Sequence, residues 1–121
     1  SGKPFFIMTE GSQIDWGGHA NDVPYVVSEF LEFNQTIGVA LEFAKKHGNT
    51  LVVVTADHET GGLALTKGNI KRNQVSGGFN TKGHSATMVP VFSYGPAAEQ
   101  FAGIYENTAI FTKLKTAVSK E

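Results

Sequence analysis

The chain has 121 residues, 40% of them apolar and 17% charged, and its 10 Lys and Arg nearly balance 11 Asp and Glu for a net charge of -1. This is material for one domain with a core, and it excludes both intrinsic disorder and a nucleic-acid or anionic-membrane partner that depends on a broad basic face. No apolar run nears the roughly 18 residues of a membrane span and no signal peptide is visible; with no Cys, disulfides, thiolate zinc ligands and thiol nucleophiles are excluded as well.

Ser1-Gly2 reads as a cloning remnant. Phe5-Phe6-Ile7-Met8-Thr9 is an uninterrupted apolar run, which predicts a strand buried on both faces, ending at Glu10. Gly11 to Pro24, rich in Gly, Asn and Asp, predicts a loop. From Ser28 to His47 the spacing of Phe30, Phe33, Ile37, Ala40, Leu41 and Ala44 predicts one apolar helix face. Lys45-Lys46-His47-Gly48 closes that helix with cations against the dipole and a glycine beyond it. Thr50 to Ala56 is β-branched and almost wholly apolar, the pattern of a central parallel strand. Strand, helix, strand in that order predicts a right-handed βαβ unit. Leu63 to Thr66 is a short strand candidate, Lys67 to Lys82 a polar surface excursion, and Met88 to Tyr94 a further strand ended by Gly95-Pro96. Asn107-Thr108 is placed to cap a last helix whose inner face is Ile110, Phe111, Leu114 and Val118. The expectation is an α/β domain over residues 1–121, a mostly parallel sheet with flanking helices.

Three polar clusters fall at strand ends or in the loops beside them: Glu10 to His19, Asp57-His58-Glu59, and Gly83-His84-Ser85. Sites in open α/β sheets form beyond the carboxyl ends of strands, so residues distant in sequence can meet there. Asp15 and His19 are four apart, and one helical turn puts them on the same side; Gly17-Gly18 between them disfavours a long helix. Asp57 and His58 are consecutive, so both reach one ion only if the strand ends near Ala56 and the chain turns, as Gly61-Gly62 allow. Carboxylate oxygen and neutral imidazole nitrogen suit zinc, and a metal pair about 4 Å apart can clamp the attacking and leaving oxygens of a phosphoryl group. Each residue also has a plainer reading: Asp15 and His19 as ordinary loop residues, Asp57 as a cap, His84 as structural, Glu10 as a solvated carboxylate. His47 belongs to the helix terminus, and Ser12 and Ser85 lack the context of an activated nucleophile.

Taken in order, Glu10-Gly-Ser-Gln-Ile-Asp15…His19, Val-Thr-Ala-Asp57-His58-Glu59-Thr-Gly-Gly and Gly-His84-Ser-Ala-Thr-Met-Val-Pro-Val…Tyr-Gly-Pro resemble the three C-terminal metal-binding motifs of the alkaline phosphatase family. The resemblance implies an alkaline-phosphatase-like fold and a zinc- and magnesium-dependent phosphate monoester hydrolase. It implies Asp15, His19 and His84 as ligands of one zinc ion, Asp57 and His58 as ligands of a second, and Glu10 as a ligand of magnesium. It also implies a serine or threonine nucleophile, a phosphoenzyme, and export to the periplasm or beyond the cell.

The nucleophile, the aspartate bridging zinc to magnesium and the phosphate-gripping arginine have no match here; the one arginine, Arg72, stands in the polar excursion. The chain therefore reads as the C-terminal portion of such an enzyme, inactive without the N-terminal portion, and prone to oligomerise through unpaired strand edges. At Trp16 relatives often carry Lys or His assisting phosphate or metal, a charge that Trp does not supply. The competing readings are a phosphodiesterase or phosphomutase of the same superfamily, and a non-catalytic, metal-stabilised domain.

Overall fold

The computed structural model describes residues 4–119, so Ser1 and Gly2 lie outside the described residues. These residues form two compact units. One comprises the residues up to Glu10, Ile37–Asp57, and the residues from Pro90 onward; the other comprises Gly11–Thr36 and His58–Val89.

In the second unit, the expected loop after Gly11 is instead a helix, α1 (Gln13–Ala20). Gly17 and Gly18 do not prevent it, because both are buried in close contacts that a side chain would block. A Cβ on Gly17 would come within 2.9 Å of Val26, and one on Gly18 within 3.0 Å of Thr60. The helix stops at Asn21, which adopts the left-handed conformation at φ 56°. Asn21 N–H donates to Gly18 O at 3.0 Å and Asp22 N–H to Gly17 O at 3.1 Å, a Schellman closure.

α2 (Val23–His47) begins five residues before the expected start. The sequence signal was local: Asp22 Oδ1 accepts the Tyr25 N–H at 3.0 Å as an N-cap, and Pro24 sits in the first turn where its missing N–H costs nothing. The helix therefore runs about 37 Å, its N-terminal part in the second unit and residues 37–47 in the first. Its expected end holds, with Gly48 at φ 72° and its N–H on Ala44 O at 2.8 Å.

The second unit also holds β2 and β5, described with the site, and a hairpin of β3 (Ala64–Asn69) and β4 (Gln74–Gly78). The hairpin lies where a strand and a polar excursion are expected, and a one-turn 3-10 segment, Ile70–Arg72, closes it. Asn69 Oδ1 accepts the Arg72 N–H at 3.1 Å, and Asn73 takes the left-handed conformation.

In the first unit, β1 (Val52–Thr55) pairs antiparallel with β6 (Val91–Tyr94), in register from Val52 opposite Tyr94 to Thr55 opposite Val91. Two expectations are corrected here. Among the described residues every ladder is two-stranded and antiparallel, so the mostly parallel sheet and its βαβ unit are not formed. Phe5 to Thr9 is not a strand: no described strand pairs with it, and Phe5, Phe6, Ile7 and Met8 are 63–80% exposed. An apolar run reports a strand's preference for burial, whereas a ladder needs a partner with free backbone groups.

A 3-10 turn (Ala98–Phe101) and α3 (Ala109–Val118) complete this unit. Thr108 precedes α3 without a side-chain capping bond, and Phe111 and Val118 face solvent rather than the interior. The buried apolar side chains of the described residues are Ala44 and Phe101, both in this unit. No described helix is long and apolar enough to cross a membrane.

Candidate metal centre

The centre is built in the second unit from α1 and a small antiparallel pair, β2 (Glu59–Thr60) with β5 (His84–Ser85). Asp15 and His19 project from the same side of α1 one turn apart, as the spacing requires. His84 opens β5 opposite Thr60. The donor atoms of Asp15, His19 and His84 all lie within 4.8 Å of one another. His84 Nε2 is 3.3 Å from His19 Nε2, His19 Nε2 is 3.4 Å from Asp15 Oδ2, and His84 Nε2 is 3.8 Å from Asp15 Oδ1. The three side chains are 35–50% exposed, so solvent and solutes reach them.

Those distances test the group's fitness for a metal. A tetrahedral ion with ligands at about 2.0–2.2 Å has ligand–ligand edges of about 3.3–3.6 Å. The edge between the two imidazole nitrogens falls at that length, His19 and His84 approach different oxygens of the Asp15 carboxylate, and one donor atom from each residue lies within 4.8 Å of the other two. Two imidazoles and one carboxylate also form the nitrogen and oxygen set that zinc accepts in open sites.

The tautomer of His19 agrees with this role. Its Nδ1–H donates to the Lys82 carbonyl at 2.5 Å, which leaves the lone pair on Nε2, the atom facing His84 and Asp15. Lys82 is held in place by the turn before it. Asn80 N–H and Thr81 N–H donate to Gly61 O at 3.0 and 3.1 Å, and Gly61 N–H donates to Gly83 O at 2.9 Å. Gly61 has φ 89°, and a Cβ there would come within 2.6 Å of Phe79, so the position requires glycine. With its amide turned so that nitrogen faces the carbonyls, Asn21 donates to Gly18 O at 2.9 Å and Thr81 O at 2.8 Å, tying the same turn to the end of α1.

His58 stands next to this group. Its ring stacks on His84 with centroids 3.5 Å apart and planes 18° from parallel. Its Nδ1 lies 3.2 Å from Thr60 Oγ1, and the Thr60 hydroxyl donates to Asp15 Oδ1. Glu59 holds the β2 turn: the Ser85 hydroxyl donates to it, and Gly62 N–H and Leu63 N–H each donate at 3.1 Å. The Ser85 bond, with those two backbone donors and nearby His58, holds the Glu59 carboxyl below its ordinary pKa against a smaller opposing effect of burial.

The structure thus brings together Asp15, His19 and His84, with His58 stacked against them. Asp57 and Glu10 fall in the other compact unit, both exposed, Asp57 in a bend after β1 and Glu10 in irregular chain before α1. His47 is at the helix terminus assigned to it, its Nδ1–H donating to Phe43 O at 2.8 Å. Sequence reasoning passed over the Lys82 carbonyl and Thr60. A backbone carbonyl leaves no trace in a sequence. Thr60 had a signal, since residues i and i+2 of an extended segment face the same side and His58 is two positions before it.

The family model described as alkaline phosphatase matches residues 1–74 and 65–120. Alkaline phosphatase 3 of Bacillus subtilis (strain 168) is 33% identical over 176 residues, covering 88% of this chain and 38% of that protein. Alkaline phosphatase of Escherichia coli (strain K12) is 33% identical over 132 residues, covering 96% of this chain and 28% of that protein. The structure of alkaline phosphatase from the Antarctic bacterium TAB5 superposes with a TM-score of 0.86 at 55% identity, over 94% of this chain and 35% of that one. A variant of that enzyme has been determined with Mg bound. The chain thus spans under two fifths of the length of these relatives.

Proposed function

The chain belongs to the alkaline phosphatase family, and on that premise we propose that it is the C-terminal, ligand-bearing portion of a zinc- and magnesium-dependent phosphate monoester hydrolase. The observation that carries the reading is the gathering of one donor atom each from Asp15, His19 and His84 within 4.8 Å of one another. In this reading Asp15, His19 and His84 hold one zinc ion, Asp57 and His58 contribute to a second, and Glu10 contributes to magnesium. The serine or threonine nucleophile, the bridging aspartate and the phosphate-gripping arginine come from the remainder of the enzyme. Arg72 does not replace that arginine, because it sits in the exposed turn between β3 and β4.

Zinc, when bound, lowers the pKa of an attacking hydroxyl or water and offsets charge developing on the phosphoryl oxygens. The chain's own residues prepare for that. Asp15 presents its carboxylate under a hydrogen bond from Thr60. His19 donates its Nδ1–H to Lys82 O, which turns Nε2 toward His84 and Asp15. His84 Nε2 faces His19 Nε2 at 3.3 Å, so the two ring nitrogens can serve one ion. The half-exposed rim admits a phosphate monoester from solvent. An exported setting, periplasmic or extracellular, and self-association through uncovered apolar surface complete the proposal.

Calorimetric titration of zinc into the wild-type chain and His19→Ala tests it. The wild type binds, and the variant binds at least about 100-fold more weakly, since a ligand is worth more than an outer-shell partner. Equal affinities contradict the ligand assignment. The chain alone leaves p-nitrophenyl phosphate intact; turnover above a metal-free control contradicts the portion reading.

A further inference from the structure

Asp15 and His19 stand on α1, whereas His84 follows a turn far along the chain, and a side chain outside the ligand pattern joins the two. Asn21 follows α1 at φ 56° and ψ 41°, half-buried, in the left-handed conformation that Asn and Gly adopt at helix ends. One atom of its carboxamide lies 2.9 Å from Gly18 O and 2.8 Å from Thr81 O. Both neighbours are carbonyls and can only accept, so that atom is the nitrogen, and its two hydrogens go one to each. Gly18 O has two lone pairs and takes the Asn21 backbone N–H as well, at 3.0 Å. The bond to Thr81 O is different in kind, because it leaves the helix and holds the turn before His84.

The next carbonyl in the chain, Lys82 O, accepts the His19 Nδ1–H at 2.5 Å. Two side chains at the end of α1, His19 and Asn21, therefore grip consecutive carbonyls of one turn. One bond alone lets the turn swing about it; two bonds to neighbouring carbonyls fix its approach to the helix. The backbone bonds of the turn run elsewhere: Asn80 N–H and Thr81 N–H donate to Gly61 O, and Gly61 N–H donates to Gly83 O, which hold it against β2 rather than α1. We propose that Asn21 is a positioning residue for the metal centre: its carboxamide, donating from both hydrogens, sets the separation between the Asp15 and His19 pair on α1 and His84 on β5. The inference rests on the ligand roles proposed above, and it assigns a task to a side chain outside that ligand set. Without the carboxamide the turn keeps its bonds to Gly61 and to His19 but loses its second hold on α1, so Lys82 O and His84 range more widely relative to Asp15.

Asn21→Gly separates the carboxamide from the backbone, because glycine keeps the left-handed position and lacks the side chain. Hydrogen exchange of side-chain amides in the metal-free wild type is the first readout. The Asn21 amide exchanges more slowly than that of exposed Asn34; equal rates overturn the proposal. Nitrogen NMR of the histidine rings, again without metal, is the second: His19 carries its proton on Nδ1 in wild type and shifts partway toward Nε2–H in Asn21→Gly. Zinc titration by calorimetry is the third. Asn21→Gly binds about 10-fold more weakly, the lower end for a lost outer-shell partner, since Asn21 holds the turn rather than a ligand. Either wild-type His19 signals or wild-type zinc affinity in Asn21→Gly overturns the proposal, since a residue that only ends the helix would give that result. Far-ultraviolet circular dichroism checks that the variant folds; if it does not, amide exchange in the wild type decides. A wild-type chain that binds no zinc overturns the ligand roles, while the two metal-free readouts still decide whether Asn21 holds the turn.

Discussion

The two compact units are held together by different means. In the unit containing α1, β2 and β5, the fully buried positions are glycines, Gly17, Gly18 and Gly61, and the contacts that fix it are hydrogen bonds: Thr60 to Asp15, Ser85 to Glu59, His19 to Lys82. In the other unit the buried side chains are Ala44 and Phe101, while Phe5 to Met8, Phe92, Ile104 and Phe111 stand 63–87% exposed. The first arrangement gives narrow, directional placement of a few donor atoms with almost no apolar core. Both units carry exposed apolar side chains, Ile70 and Met88 in the unit of α1 among them, but among the described residues only the other unit buries apolar side chains as well. The contrast indicates that site geometry and bulk stability are separable here: short-range backbone and hydroxyl bonds set the donor triangle, and apolar cover from elsewhere would stabilise the chain.

Substitutions in the two units should therefore read out differently. Gly61→Ala has the largest expected effect. It combines a φ of 89° with a Cβ that would meet Phe79 at 2.6 Å and Gly18 O at 2.9 Å, so we expect a loss of about 2–3 kcal/mol, read as a lower urea midpoint. Zinc affinity should fall with it, because the turn that positions Lys82 O and His84 is anchored on Gly61. An unchanged midpoint would show that the turn can relax and that its role here is overstated.

Glu59→Ala should come next, at about 1–3 kcal/mol, since two backbone N–H groups and the Ser85 hydroxyl lose their acceptor. Its pH dependence has a definite sign. The folded carboxyl titrates below the ordinary glutamate value of about 4.3, so its contribution is complete above that pH and is lost as pH falls through the lowered value. The wild type should accordingly lose stability relative to Glu59→Ala on acidification, measured by urea denaturation at neutral pH and in acid.

The smallest effect on folding belongs to the other unit. Ile104 is 87% exposed, and Ile104→Asp should change stability by no more than about 0.5 kcal/mol while leaving zinc affinity intact. It should nonetheless reduce self-association of the chain, followed by light scattering. A wild-type chain that is a clean monomer at high concentration contradicts the uncovered-surface argument.

The proximity of three of the six candidate ligands was more legible in the sequence than the fold. Asp15, His19 and His84 could be read because a metal needs particular atoms, and few residue types supply them. The end of α2 was equally plain, since Lys45, Lys46, His47 and Gly48 each favour a helix terminus for a local electrostatic or conformational reason. Its start was misread because the apolar stripe begins later than the cap, which is formed by Asp22. The helix around Asp15 was missed because Gly17 and Gly18 lower helix propensity, and only their close contacts with Val26 and Thr60 explain why glycine stands there. The described ladders include no parallel pair, for a more general reason. Hydrophobic runs such as Phe5 to Thr9 and Val52 to Thr55 record the wish to be covered, but not by which strand or in which direction; β1 pairs with β6 in antiparallel register.

The most direct test of the central claim is a crystal of the chain grown with zinc, measured on both sides of the zinc absorption edge. The account predicts an anomalous peak within about 2.0–2.2 Å of His19 Nε2, His84 Nε2 and an oxygen of Asp15. A zinc-soaked crystal with no peak inside that triangle, or with the peak held by other residues, would contradict it.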